Sequence, residues 1–119
     1  MKKRTLIVDD STYMRMNLKK KLQALGYDVI GEARTGEEAL DLIELLSPDL
    51  ITLDNILPDM SGLDILEVLK QKKIAINVLM ISALGQKSII RLANEYNIKG
   101  YLIKPFDDYQ LEAALDFKF

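Results

Sequence analysis

Five polar residues of this chain stand directly behind short apolar runs. Asp9 and Asp10 follow the run 6–8, Asp54 follows 50–53, Ser82 follows 78–81, and Lys104 follows 101–103. If those runs are parallel strands of one sheet, all five side chains meet at one edge, where ligands of such sheets bind. Three carboxylates converging there repel one another, and a bound cation relieves the repulsion. The chain contains neither cysteine nor histidine, so a metal must be held by oxygen, which selects a hard cation. Mg²⁺ suits the set, because it takes one or two carboxylates, keeps several waters and leaves room for a phosphate oxygen. A lysine opposite supplies a point charge for the same phosphate, and the Ser82 hydroxyl is a further donor. A carboxylate among these groups can act as a nucleophile. The chemistry legible from residue types alone is therefore that of a phosphoryl site.

Positioning these residues requires strands and helices in alternation. The runs 6–8, 29–30, 50–53, 78–81 and 101–103 are rich in branched residues and too short for helices, so five strands are expected. Between them lie amphipathic segments. Met14, Leu18, Leu22 and Leu25 form one stripe, which Gly26 terminates. Thr35 and Glu38 have capping-box spacing ahead of Ala39, Ile43 and Leu46, and Pro48 closes that segment. A third helix is expected from Ser61, with Asp64 three residues on. A fourth carries Ile89, Ala93 and Tyr96, and a fifth opens near Asp107 and Gln110 and buries Leu111 and Leu115. Alternating strands and helices give an α/β fold, a doubly wound parallel sheet with helices on both faces. The runs 6–8, 50–53 and 78–81 read as central strands. Gly31 and Glu32 interrupt the second run and Lys104-Pro105 ends the fifth, so these two belong at the edges. The strand order 2-1-3-4-5 agrees with that. The five methionines, Met14 and Met16 among them, are expected to fill the core.

The Asp9-Asp10 pair, Asp54 with Pro58 and Gly62 behind it, Ser82-Ala83, and Lys104-Pro105-Phe106 together resemble the receiver domains of two-component response regulators. The resemblance spans essentially the whole chain, with every motif in order, and residues 1–119 are expected to form one such domain. It implies the flavodoxin-like (βα)5 sandwich. It also implies that Asp54 accepts a phosphoryl group from a histidine kinase. Asp10 and Asp54 would bind Mg²⁺ directly, Asp9 mainly through water, and the backbone carbonyl of Ile56 would complete the protein ligands. Lys104 would contact the phosphate next to a cis Lys104-Pro105 peptide, and Ser82 and Tyr101 would form a switch pair. The readout face would be the fourth helix, fifth strand and fifth helix. Such a protein is a phosphoacceptor with self-dephosphorylation only, not an enzyme with an external substrate. Ile56 and Leu84 are apolar and would flank the phosphate, which implies a slow loss of it. The stretch 9–15 leans toward the single-domain chemotaxis type.

The composition narrows the remaining classes. A formal net charge of −2 gives no reason to expect nucleic acid as a partner, and the basic runs 2–4 and 19–21 read as solvated ends or faces. The opening MKKRTLIVDD holds too few apolar residues for a secretion signal, which needs roughly seven. No stretch is long enough to span a membrane, so a cytoplasmic location is expected. Besides a degenerate receiver acting as a passive docking module, three competing readings remain. One is a Mg²⁺-dependent phosphatase working through Asp54, although Ile56 stands where a second acid would be wanted. Another is the receiver portion of a longer DNA-binding regulator. The third is a nucleotide-binding domain, although no glycine-rich loop follows the first run.

Overall fold

The computed structural model describes residues 2–119. The element order is β1 (Arg4–Val8), α1 (Thr12–Ala24), β2 (Asp28–Ala33), α2 (Gly36–Leu46), β3 (Leu50–Leu53), α3 (Gly62–Gln71), β4 (Asn77–Ser82), α4 (Lys87–Asn94), β5 (Gly100–Ile103) and α5 (Asp108–Ala114). All strand pairs are parallel, and the sheet runs β2-β1-β3-β4-β5, with the two interrupted runs at its edges as expected.

Strand alternation divides the core in two. Leu6, Val8, Ile51, Leu53, Val78 and Met80 face one way and pack with Ala39, Ile43, Ile65, Leu66, Leu69 and Ala93 from α2, α3 and α4. Ile7, Leu50, Leu79, Ile81 and Leu102 face the other way, onto Leu18 and Leu22 of α1 and onto Leu111 and Leu115 at the end of the chain. Central strands covered on both faces are apolar at nearly every position, which is why β3 reads LITL and is buried throughout.

Helix starts follow local chemistry. Ser61 accepts from the Asp64 N–H at 3.1 Å while the Asp64 carboxylate accepts from the Ser61 N–H at 2.9 Å, a complete capping box. Asp107 and Gln110 do the same at α5, at 2.8 and 2.9 Å. Thr35 caps α2 through the Glu38 N–H at 3.1 Å, but the Glu38 carboxylate reaches one residue further back, to the N–H of Arg34. The turns leaving α1 to α4 each carry a left-handed residue: Gly26 (φ 91°), Ser47 (φ 46°), Lys73 (φ 56°) and Asn97 (φ 59°). All four lie at the sheet edge opposite to Asp9, Asp54, Ser82 and Lys104.

Several expectations need correction. The second strand does not stop at Ile30 but runs through Gly31 and Glu32, and a shift of register between Thr5 and Leu6 absorbs the irregularity. Leu25 is exposed, because it is the C-cap of α1 where the chain turns off toward Gly26. Met80 is buried, and Met14 and Met60 pack against the core, but Met16 is largely exposed on the outer face of α1. The fifth methionine, Met1, lies outside the described residues. Tyr96 lies two residues beyond α4. Phe117 packs on the α1–α5 side of the core, and Phe119 stacks on it at 4.9 Å between centroids with the Lys3 ammonium over its ring.

Candidate functional site

Asp9 is held by its backbone before its side chain is considered. Its N–H donates to the Ala33 carbonyl of β2 at 3.0 Å, and its own carbonyl accepts from Nη1 of Arg15 at 2.8 Å. One carboxylate oxygen accepts from the Ser11 N–H at 2.9 Å, and Ser11 in turn caps α1 through the Met14 N–H at 3.2 Å. The turn from β1 to α1 therefore aims Asp9 inward and leaves Asp10 exposed beside it.

Asp54 is likewise fixed. Its N–H donates to the Val8 carbonyl at 3.0 Å, and its Oδ1 accepts from the Ile56 N–H at 3.0 Å. Only 6 % of its surface is exposed. Gly62 lets α3 start this close: a Cβ there would lie 2.7 Å from the Asp54 carbonyl oxygen and 3.0 Å from the Asn55 Cα. Neither atom can move cheaply, since both are backbone. Asn55 is buried, and its side-chain carbonyl accepts from the Leu63 N–H at 3.1 Å, one of the free donors of the α3 start.

Lys104 closes the pocket. Its Nζ lies 2.7 Å from Asp9 Oδ2 and 3.0 Å from Asp54 Oδ2, and its backbone N–H donates to the Ser82 carbonyl at 2.9 Å. The Lys104-Pro105 peptide is cis. Burial alone pulls the ammonium pKa down, but the hydrogen bonds to Asp9 and Asp54 outweigh it and hold the pKa above the usual lysine value. One carboxylate oxygen from each of Asp9, Asp10 and Asp54 lies within 4.8 Å of the other two. Three carboxyl groups and one ammonium thus share this pocket. Such an all-oxygen donor set fits a hard divalent cation.

Ser82 is fully buried, and its Oγ accepts from the Leu84 N–H at 3.2 Å. The Tyr101 hydroxyl donates to the Leu84 carbonyl at 2.5 Å, and its half-buried ring packs against the core on the α2–α4 side. Burial raises the pKa of that hydroxyl, a hydrogen bond with the Ser82 side chain offsets part of the rise, and the nearby Asp54 charge adds to it. Ser82 and Tyr101 thus grip the same loop, with the ring already turned inward.

All five residues expected at the sheet edge are brought together there. The residues behind them were not anticipated. Arg15, Glu32 and Asn55 each hold backbone or charge around the turns that carry the pocket, Asp59 holds the start of α2, and Glu32 comes from β2, from which nothing was expected. The signal available for Arg15 was its place four residues after Ser11, on the Leu18–Leu22 side of α1, where a charge needs a partner.

The fold and pocket define a class: a doubly wound α/β domain with an acidic, lysine-closed cleft at the carboxyl edge of its strands. The family model described as response regulator receiver domain matches residues 5–116, and the chain belongs to that family. It is 36% identical over 116 residues to the chemotaxis protein CheY of Thermotoga maritima, covering 98% of this chain and 97% of that one. It is 40% identical over 114 residues to the chemotaxis protein CheY of Bacillus subtilis, covering 95% of each. It is also 34% identical over 114 residues to the transcriptional regulatory protein PdtaR of Mycobacterium tuberculosis, covering 96% of this chain but 55% of that one. Among solved structures, a CheX-CheY-BeF3-Mg+2 complex from Borrelia burgdorferi aligns with a TM-score of 0.87 at 30% identity, covering 94% of this chain and 85% of that one. The response regulator domain of Thermotoga maritima CheB aligns at 0.83 and 31%, covering 96% and 89%. The chain is thus a CheY-like receiver domain of a two-component response regulator. Among the described residues, no helix is long and apolar enough to cross a membrane.

Proposed function

We propose that residues 1–119 work as one phosphoacceptor switch, with Asp54 as the acceptor and a histidine kinase as the donor. The observation that carries this reading is the Asp54 carboxylate itself. It is buried, held by the Ile56 N–H and Lys104, and shares its pocket with two further carboxylates. In the transfer, an Asp54 oxygen attacks the phosphorus of a phosphohistidine. The P–O bond forms, the P–N bond breaks, and its electron pair leaves with the imidazole, which takes a proton from solvent. Lys104 stays beside the transferred group and balances its charge. Asp10, Asp54 and the Ile56 carbonyl would hold Mg²⁺ directly, and Asp9 through water. When bound, the ion neutralises charge on the phosphoryl oxygens.

The switch follows from the loop that Ser82 and Tyr101 share. With phosphate on Asp54, the Ser82 hydroxyl turns from the Leu84 N–H to a phosphoryl oxygen. The loop moves with it, and the inward Tyr101 ring fixes the new position. The face formed by α4, β5 and α5 then presents a changed surface to an effector protein. Moving such an equilibrium from mostly off to mostly on takes about 5.5 kcal/mol of differential interaction. Likeness to full-length chemotaxis proteins favours an output in chemotaxis or motility, with the protein in the cytoplasm. The phosphatase alternative has no support, because Ile56 offers only its backbone two residues after Asp54.

The test is to incubate the protein with MgCl₂ and acetyl phosphate and weigh it intact. One added phosphate is expected, with none on Asp54→Asn. Full labelling of that variant would overturn the assignment.

A further inference from the structure

We infer that Arg15 is a positioning residue for magnesium binding, acting through the backbone of Asp9 rather than touching the ion. The inference rests on the reading of the acidic pocket as a metal site. Arg15 lies on α1, yet it is 8 % exposed, an unusual burial for a guanidinium. Its three nitrogens reach the turn that carries the acidic pair, the neighbouring strand β2 and the first residue of α1. Nη1 donates to the Asp9 carbonyl at 2.8 Å, Nε to Glu32 Oε1 of β2 at 3.2 Å, and Nη2 to the Thr12 hydroxyl at 3.3 Å.

This geometry locks the turn that carries the acidic pair. The Asp9 peptide is held from β2 through the Ala33 carbonyl and from α1 through Arg15. Asp10 follows directly, so its exposed carboxylate is aimed by the same clamp. Glu32 balances the guanidinium, at 3.2 Å with about a third of its side chain exposed, and Lys19 reaches its other oxygen at 3.8 Å. The outermost strand thereby takes part in the pocket without contributing a side chain to it.

Two effects of Arg15 on a cation oppose each other. Its positive charge repels a second cation, so by charge alone its removal would tighten magnesium binding. Its fork fixes the Asp9-Asp10 turn, so by geometry its removal loosens the ligand set and weakens binding. The structure assigns the larger share to geometry, because the fork makes three hydrogen bonds and its charge is already compensated by Glu32. The sign of the change therefore separates the two.

The experiment is calorimetric titration of MgCl₂ into metal-free protein, with thermal unfolding alongside. Arg15→Met is expected to raise the magnesium Kd by about tenfold, the usual scale for residues that orient a ligand from behind. Arg15→Lys keeps the charge but not the fork, and is expected to weaken binding in the same direction. Arg4→Met is the control for a purely structural arginine. Arg4 donates to the carbonyls of Ser47 and Leu46 at the far edge of the sheet, at 2.8 and 2.6 Å, so its loss lowers Tm without moving the Kd. Arg15→Met binding as tightly as the wild type, or more tightly, overturns the inference, as does an Arg15→Lys indistinguishable from the wild type. If Arg15→Met fails to fold, Arg15→Lys decides. A wild-type chain that takes up no magnesium overturns the metal assignment, and this inference with it.

Discussion

Single residues in this chain carry distinct burdens, and Thr52 shows one with no return. It is 1 % exposed in the middle of β3, and its hydroxyl has no partner among the described residues. A buried hydroxyl without a hydrogen bond costs more than it contributes. Thr52→Val keeps the branched shape that suits a strand, and is expected to stabilise the fold by about 1 kcal/mol. Urea unfolding with an unchanged m-value would measure it, and a lowered midpoint would contradict the assignment. The pocket residues were legible for the opposite reason. Asp9, Asp10, Asp54, Ser82 and Lys104 are polar where an apolar run has just ended, and that contrast is visible without coordinates. Asn55 was not, and Arg15 showed only that it needs a partner, because their roles depend on which N–H or carbonyl lies across the turn.

At the level of elements, helix ends divide into those aided by their sequence and those working against it. Lys73 terminates α3 in the left-handed region, at φ 56°. A side chain there costs about 1 kcal/mol relative to glycine, partly offset by glycine's greater freedom when unfolded. Lys73→Gly is therefore expected to raise Tm modestly, and a fall would show that the lysine side chain makes a contact worth more than the strain. The start of α2 relies on a neighbour. Asp59, in the loop after β3, accepts from the N–H groups of Gly36 and Glu37 at 2.8 and 3.0 Å, and those bonds hold its pKa below the usual aspartate value. A carboxylate held low contributes stability above its unfolded pKa and loses it as the pH falls through the folded value. Asp59→Ala should thus be less stable than the wild type at neutral pH, and the gap should close in acid. Denaturation midpoints across that range would check it, and a gap that widened in acid would refute it. This contact joins residues 23 apart in sequence. Nothing local announces it, whereas the caps at Ser61 and Asp107 are written within four residues. The extension of β2 through Gly31 and Glu32 escaped the sequence for a related reason. An edge strand shows half-buried alternation, and a register shift blurs even that.

For the molecule as a whole, the lifetime of the proposed phosphorylated state matters more than its stability. Ile56 and Leu84, two residues past Asp54 and Ser82, are apolar, and neither side chain can orient an attacking water. The purified phosphoprotein should therefore persist well beyond seconds once the donor is removed. Loss of the added mass within seconds would contradict this, and Ile56→Asn should shorten the lifetime if the apolar residue at that position is responsible. The global fold was the easiest part to anticipate. Strand count and the identity of the edges follow from how continuously apolar each run is, a pattern parallel sheets obey closely, whereas the order of the three inner strands rests on the family resemblance.

The left-handed turns have one more implication, for anyone wishing to watch the protein at work. They occupy the sheet edge farthest from the acidic cleft, and the segment around Lys72 and Lys73 is exposed. Insertions are best tolerated at exposed, polar connections of this kind. A fluorescent tag spliced there would ride on the blunt pole of the molecule, leaving both the acidic cleft and the α4–β5–α5 surface unencumbered.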